Sequence, residues 1–327
     1  ISDFNKSITD HSLSLLQYQL KNFSSFLPSY KVQNAPLLHF ASMFCDDLKF
    51  LQMIIDSVDV NGKDDDKRSA LFYSIRSPTL TSTQMLFENN VNPDIGDNLS
   101  ETPMTLSMKD ESVDKTLFLA SHGASVNKTF MNRHQSALIY SIENGYLELF
   151  EKLLPYCPSY SLNYPTSEGS FLTHILIKYK LPDQLLLLSQ RCPEFDPNLF
   201  SKDYPHPIHY FFDNYGKDPE YDFNLFNSLL SLQNLDLNIR NDRDQTPLSR
   251  CIHIKNLEIL QRLIFDPRCD LDLQDENRQS CLYVAIANNN KDAISLLLKA
   301  GALANAPNHD KEKNSPIMLA VKNNYIS

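Results

Sequence analysis

His206 and His209, parted by Pro207 and Ile208, are the residues most suggestive of chemistry, because two imidazoles one helical turn apart can share a metal. They open a helical phrase, however, and nothing at metal-ligand spacing accompanies them. Asp270, Asp272, Gln274 and Asp275 resemble a calcium loop, but Asp275 stands sixth, where that loop needs glycine, and Cys281 stands twelfth. Cysteines occur at positions 45, 157, 192, 251, 269 and 281, without a CxxC pair and mostly inside apolar segments. That is the pattern of reduced core thiols, and Cys251 and Cys281 fall where packing, not nucleophilic attack, is expected. Asp242 and Asp244 lack surroundings that would split their pKa values for acid–base work. With 7 glycines, a phosphate-cradling loop can scarcely be built. The expectation is therefore no catalytic residue, no metal ligand and no cofactor.

The elements that would position any site follow a repeat. A phrase of small or polar residue, Pro or small residue, aliphatic, two variable residues and a small residue begins at 36, 69, 102, 136, 170, 206, 246, 280 and 315. Ser or Thr supplies an oxygen for the orphan N–H groups of a helix start, and Pro suits the first turn. Each phrase thus predicts a short inner helix. Ala41, Ser74, Ser107, Ser141 and Ala285 are small where that helix must approach its neighbour. About a dozen residues on, runs such as 147–154, 257–264 and 293–300 carry apolar residues at helical spacing and predict an outer helix. Gly123, Gly301 and Asn90 are placed to stop outer helices. Polar stretches between pairs read as projecting fingers. No pair can bury its apolar face alone, so the periodic aliphatics first of all hold the stack together.

Composition narrows the function. The chain of 327 residues is 42% apolar and 21% charged, a globular balance without a membrane-spanning apolar run. A net charge of −10 disfavours nucleic acid or an anionic membrane as the main ligand. The N-terminus lacks a signal segment and begins with Ile, so the sequence reads as an excerpt of a cytoplasmic protein. Ser327 falls where a ninth outer helix should begin, and continuation is expected.

The phrase from 246 to 248, the helix-turn-helix passage 136–154, the run 296–306 and the closing phrases at 58–61, 123–127 and 235–238 resemble the ankyrin repeat family over residues 32–327. The resemblance implies an all-α, curved helix-turn-helix repeat solenoid with finger loops, residues 1–35 serving as a helical cap or partial repeat and 36–327 as the array. It also implies binding of a partner protein on the concave helix and finger surface. The family's finger glycine is replaced by Asn34, Lys67, Ser100, His134, Glu168, Tyr204, Asp244, Arg278 and Lys313, which predicts strained or differently shaped finger turns. The family's histidine before the small residue is matched at His39 and His209. Residues 214–223 are an insertion between two helices, read as a hydrophilic loop with Lys217, Asp218, Glu220 and Asp222, anchored by Tyr215, Tyr221 and Phe223.

Outward-pointing candidates for protein binding are Asp65, Asp66, Arg68 and Arg76 in one repeat, then Asn98, Leu99, Glu101 and Lys109 in the next. They continue as Asn132, Arg133, Gln135 and Glu143, as Lys202 and Asp203, as Asp242, Arg243, Gln245 and His253, and as Glu276, Asn277 and Gln279. The expected function is a non-catalytic scaffold or adaptor with a protein partner. Two alternatives stay open: a building element of a cytoskeletal assembly, or the regulatory region of a larger enzyme or channel.

Overall fold

The computed structural model describes residues 31–32, 35–45, 48–126, 136–158, 162–216, 219–254, 256–275, 277–306 and 314–325. Most of the expected cap, 1–35, lies outside them. The chain divides into two compact units, Ile1–Pro158 and Ser159–Ser327.

In the first unit, strands β1 (Lys31–Val32) and β2 (Ala35–Pro36) pair antiparallel and lead into α1 (Leu37–Phe44). Helix pairs follow: α1 with α2 (Leu48–Ile55), α3 (Ala70–Ile75) with α4 (Thr81–Glu88), α5 (Pro103–Lys109) with α6 (Val113–Ser121), and α7 (Ala137–Glu143) with α8 (Leu147–Leu153). The second unit continues with α9 (Leu172–Lys178) and α10 (Pro182–Arg191), α11 (Pro207–Asn214) and α12 (Pro219–Leu230), and α13 (Pro247–Ile254) and α14 (Leu257–Ile264). It ends with α15 (Cys281–Ala287), α16 (Lys291–Lys299) and a single inner helix, α17 (Pro316–Lys322). The fold is all-α, with strand pairing among the described residues confined to the opening hairpin and to single bridges, Lys63 with Ser69 and Gln274 with Ser280.

Local chemistry explains the helix ends. Thr102 and Thr105 cap α5 reciprocally, while Ser136, Thr246, Ser280 and Ser315 each accept from the N–H three residues on. Ser69 departs from the pattern: its hydroxyl is buried and makes no cap bond. Asn256 and Asn290 cap the outer helices α14 and α16. The turns after helices take a left-handed residue at Asn90, Gly123 and Gly301 as expected, also at Glu111, Gly145, Lys180 and Asn289 between inner and outer helices, and at Asn324 after α17.

The small residues of the inner helices are buried, and Ser74, Ser107 and Ser141 turn their hydroxyls back onto the carbonyl three residues before. Ser107 also meets Thr116 of the paired outer helix at 2.8 Å. Around these contacts Phe50, Leu71, Leu86, Met104 and Phe150 form the first unit's core; Phe211, Phe226, Leu248 and Leu263 lie in the second's. Each full burial of such a side chain contributes about 1.5–3 kcal/mol.

The repeat-closing phrases have their own task. Asn61 accepts from the N–H of Asn92, and Asp94 from Ser125; in the second unit Asn163 accepts from Asp196, Asn198 from Asp236, Asn238 from Asp270 and Asp272 from Leu303. At each of these six places one amide or carboxylate ties a repeat to the next, satisfying a loop N–H that no regular element pairs.

The inserted segment is not the loop expected from sequence. Pro219 opens α12, which runs 12 residues, so half of the insertion lengthens a helix. Asp222 is buried, accepts from the Gly216 N–H at 2.8 Å and pairs with Lys180 at 3.1 Å. That burial, together with the Tyr215 hydroxyl accepting from Asn256 at 2.6 Å, turns the insertion into part of the packing.

Candidate functional site

Four fingers share one construction. Asp64, Asp97, Asn241 and Asp275 each accept, through a single side-chain oxygen, from the N–H groups two and four residues later. The residue three later is left-handed in every case: Lys67, Ser100, Asp244 and Arg278, with φ from 56° to 64°. These are four of the positions where the family's glycine is missing, and the side-chain clamp offsets the strain that a Cβ brings there. In three of them the clamp leaves the two tip residues projecting into solvent, at Asp65 and Asp66, Asn98 and Leu99, and Asp242 and Arg243.

The finger before α11 is built differently. Ser201 N–H bonds to the Tyr204 carbonyl at 2.9 Å, with no left-handed residue. Tyr204 turns inward against His174 and Tyr210, whereas Phe200 turns outward, 58% exposed, with its ring 3.9 Å from that of His206. His206 is fixed in turn, its Nδ1 2.9 Å from the Asn198 carbonyl.

Between this finger and the clamped one at 241–245 lies a groove of about 800 Å³. Phe200, Pro205 and His206 form one wall, and Arg240, Asp242, Arg243 and Gln245 the other. Its floor is set by α11 and α13, through His209, Asp213 and Arg250. Arg250 donates to the Asp213 carboxylate at 2.6 Å and to the His209 carbonyl at 3.1 Å, and Arg240 pairs with Asp244 at 2.6 Å. Lys202, Asp203, Asp242 and Arg243 make no ion pair among the described residues. His209 is buried and donates Nε2–H to the Ile239 carbonyl at 3.0 Å, which joins floor to wall; burial first of all, with Arg250 nearby, pushes its pKa down to about 4. The groove therefore has a rigid charged floor, an aromatic lip and four free charges at its rim. It can hold an extended segment, and it gathers no acid–base pair.

Residues 219–301 and 248–327 match the family model of ankyrin repeats in its three-copy form, and the described helix pairs before them repeat the same construction. Residues 219–327 are similar to ankyrin repeats. No curated protein matches it. Ankyrin repeats are in general protein–protein interaction modules.

Among the described residues the histidine slot of such repeats is filled three times, not twice. His174 was missed because α9 starts one residue later than the phrase at 170: Phe171 is its cap, and Gly169, with φ 83°, takes the finger position instead of Glu168. With that frame His39, His174 and His209 do the same thing. Their Nε2 atoms lie 2.8, 2.7 and 3.0 Å from the carbonyls of Arg68, Pro205 and Ile239, each in the next finger. Because His209 is committed inward and His206 to Asn198, the pair does not converge on a common point.

Of the binding residues expected from sequence, the groove brings together Lys202, Asp203, Asp242, Arg243 and Gln245. Asp65, Asp66, Asn98, Leu99, Arg76, His253 and Asn277 are exposed at fingers or helix ends elsewhere in their own units. Glu101 departs from the outward expectation: it is buried and paired with Lys109, since the clamp of Asp97 turns it inward. Arg68 is half-buried between Asp66 and Asp97, and Glu143 and Gln279 are half-buried. Asn132, Arg133, Gln135 and Glu276 lie outside the described residues. Phe200, Arg240 and Arg250 were not anticipated. An aromatic at the start of a finger, off the apolar register, was the available signal for Phe200.

Among the described residues no helix is long and apolar enough to cross a membrane, and no cluster of three His, Cys, Asp or Glu is arranged to hold a metal.

Proposed function

We propose that the chain is a non-catalytic adaptor or scaffold module that holds a segment of a partner protein in the groove between the fingers at 198–206 and 239–246. The observation that carries this reading is the exposed Phe200 ring, held on His206 at the lip of a groove whose floor is already fixed by the Arg250–Asp213 pair. An immobilised aromatic beside a polar rim is what protein interfaces use as an anchor, since little ordering entropy remains to be lost on binding. The cap at 1–35 and the array from 36 belong to the same reading. So does a cytoplasmic setting, for which the buried, unbridged Cys251 and Cys281 speak.

The test is quantitative capture. Partners retained from cell extract by the intact chain are compared with those retained by Phe200→Ala and by Arg243→Glu, each first shown by circular dichroism to melt as the parent does. Selective loss of the same partners from both variants supports the groove. Retention of every partner by both would remove the groove from the binding surface.

A further inference from the structure

We propose that the groove's occupant is an extended peptide in which an apolar side chain is flanked by carboxylates; this rests on the protein-binding reading of the same groove. Phe200 decides the apolar part. More than half of its surface meets solvent, although the ring is held by His206 and that imidazole is held by the Asn198 carbonyl. Covering such a ring removes apolar area from water without first having to order the ring. Pro205 extends the same wall.

The charged part follows from which ions are already committed. Arg250 is taken up by Asp213 and the His209 carbonyl, and Arg240 by Asp244, while Lys202 and Arg243 carry no ion pair among the described residues. Asp203 and Asp242 are equally unpaired but sit on short stems at the finger turns. Lys202 and Arg243 have long, flexible stems that can swing across the groove and deliver a cation to a chain lying in it. A ligand carboxylate gives the Arg243 guanidinium a planar, fork-matched partner within that reach. Reach and geometry therefore favour a carboxylate ligand, despite the chain's overall negative charge. Screening by salt should weaken binding accordingly.

The test uses the full chain and three fluorescent peptides of equal length, with centres Glu-Glu-Phe-Glu, Glu-Glu-Ala-Glu and Lys-Lys-Phe-Lys, read by anisotropy. The first is expected to bind saturably and more weakly as salt rises, the second to bind less well and the third not at all. Phe200→Ala, Lys202→Glu and Arg243→Glu should each weaken the first peptide by about tenfold, and Leu99→Ala, at an exposed finger of the other unit, should not. Binding of the lysine peptide as well as or better than the acidic one overturns the proposal, as does acidic-peptide binding that none of the three groove variants changes. If no acidic peptide binds although the same variants lose captured protein, the carboxylate chemistry is wrong and the groove's role as a protein site stands.

Discussion

His209 Nε2 lies 3.0 Å from the carbonyl of Ile239, so that an inner helix and the next finger are joined through one buried imidazole. His39 and His174 make the same joint to Arg68 and Pro205. In each, burial is the main cause of a lowered pKa, and for His209 the value is about 4. An unfolded histidine titrates near 6.5. Between about 4 and 6.5 the unfolded chain therefore binds more protons than the folded one, and stability is lost as pH falls through that window. His209 alone accounts for on the order of 3 kcal/mol across it. Urea melts at pH 7 and pH 5 should show this loss, and His209→Gln should flatten the difference; an equal pH dependence in parent and variant would contradict the assignment.

The left-handed finger residues give a prediction of opposite sign. A non-glycine residue there costs about 1–2 kcal/mol, against about 0.5–1 kcal/mol of extra entropy for glycine. Lys67→Gly and Arg278→Gly should each raise the melting temperature by a few degrees. Asp64→Ala should lower it, because the N–H groups of Asp66 and Arg68 and the Tyr73 hydroxyl lose their acceptor. Thermal melts in which Lys67→Gly is destabilising would show that the turn is not strained.

Lys115 is a buried cation that makes no ion pair among the described residues, although the nearby Asp110 carboxylate favours its charge. Its ammonium, on outer helix α6, donates to the carbonyls of Ile75 and Ser77 at the C-terminal end of α3, where a positive charge meets the helix dipole. Lys115→Met preserves much of the stem but strands those carbonyls, and a loss of about 1–3 kcal/mol is expected from denaturant unfolding. A change below 0.5 kcal/mol, the size typical of a surface substitution, would mean that water serves these carbonyls equally well.

Asp222 makes the insertion structural. Asp222→Ala removes the partner of Lys180 and the acceptor of the Gly216 N–H, and should destabilise by about 3 kcal/mol, as breaking a buried pair does. Deleting 216–222 should cost at least as much, which unfolding of the purified variant will show. A deletion that melts like the parent would return the segment to the status of a bystander loop.

The inner helices were legible because Ser or Thr before an aliphatic phrase has a mechanical reason to cap a helix, and Ser136, Thr246, Ser280 and Ser315 do so. His174 and Gly169 were hidden by a one-residue shift: Ser170 looks like a cap, but Phe171 occupies the position. The finger clamps were present in sequence as Asp or Asn three residues before the missing glycine, yet their meaning needs the backbone geometry to be seen. The groove was half legible. Lys202, Asp203, Asp242, Arg243 and Gln245 follow from finger-tip position alone, whereas Phe200 and the Arg250–Asp213 floor depend on a finger that abandons the common construction. Glu101 was misjudged because periodicity does not report which tip residue the Asp97 clamp turns inward.

Partner protein is expected to lie in the groove of the second unit. A photo-crosslinking residue placed at Phe200 or Arg243, and as a control at the exposed Arg262 on outer helix α14, tests it most directly when the labelled chain is irradiated in cell extract. The same discrete adduct from positions 200 and 243, absent at 262, is the predicted result; an adduct at 262 with none at 200 or 243 would contradict it.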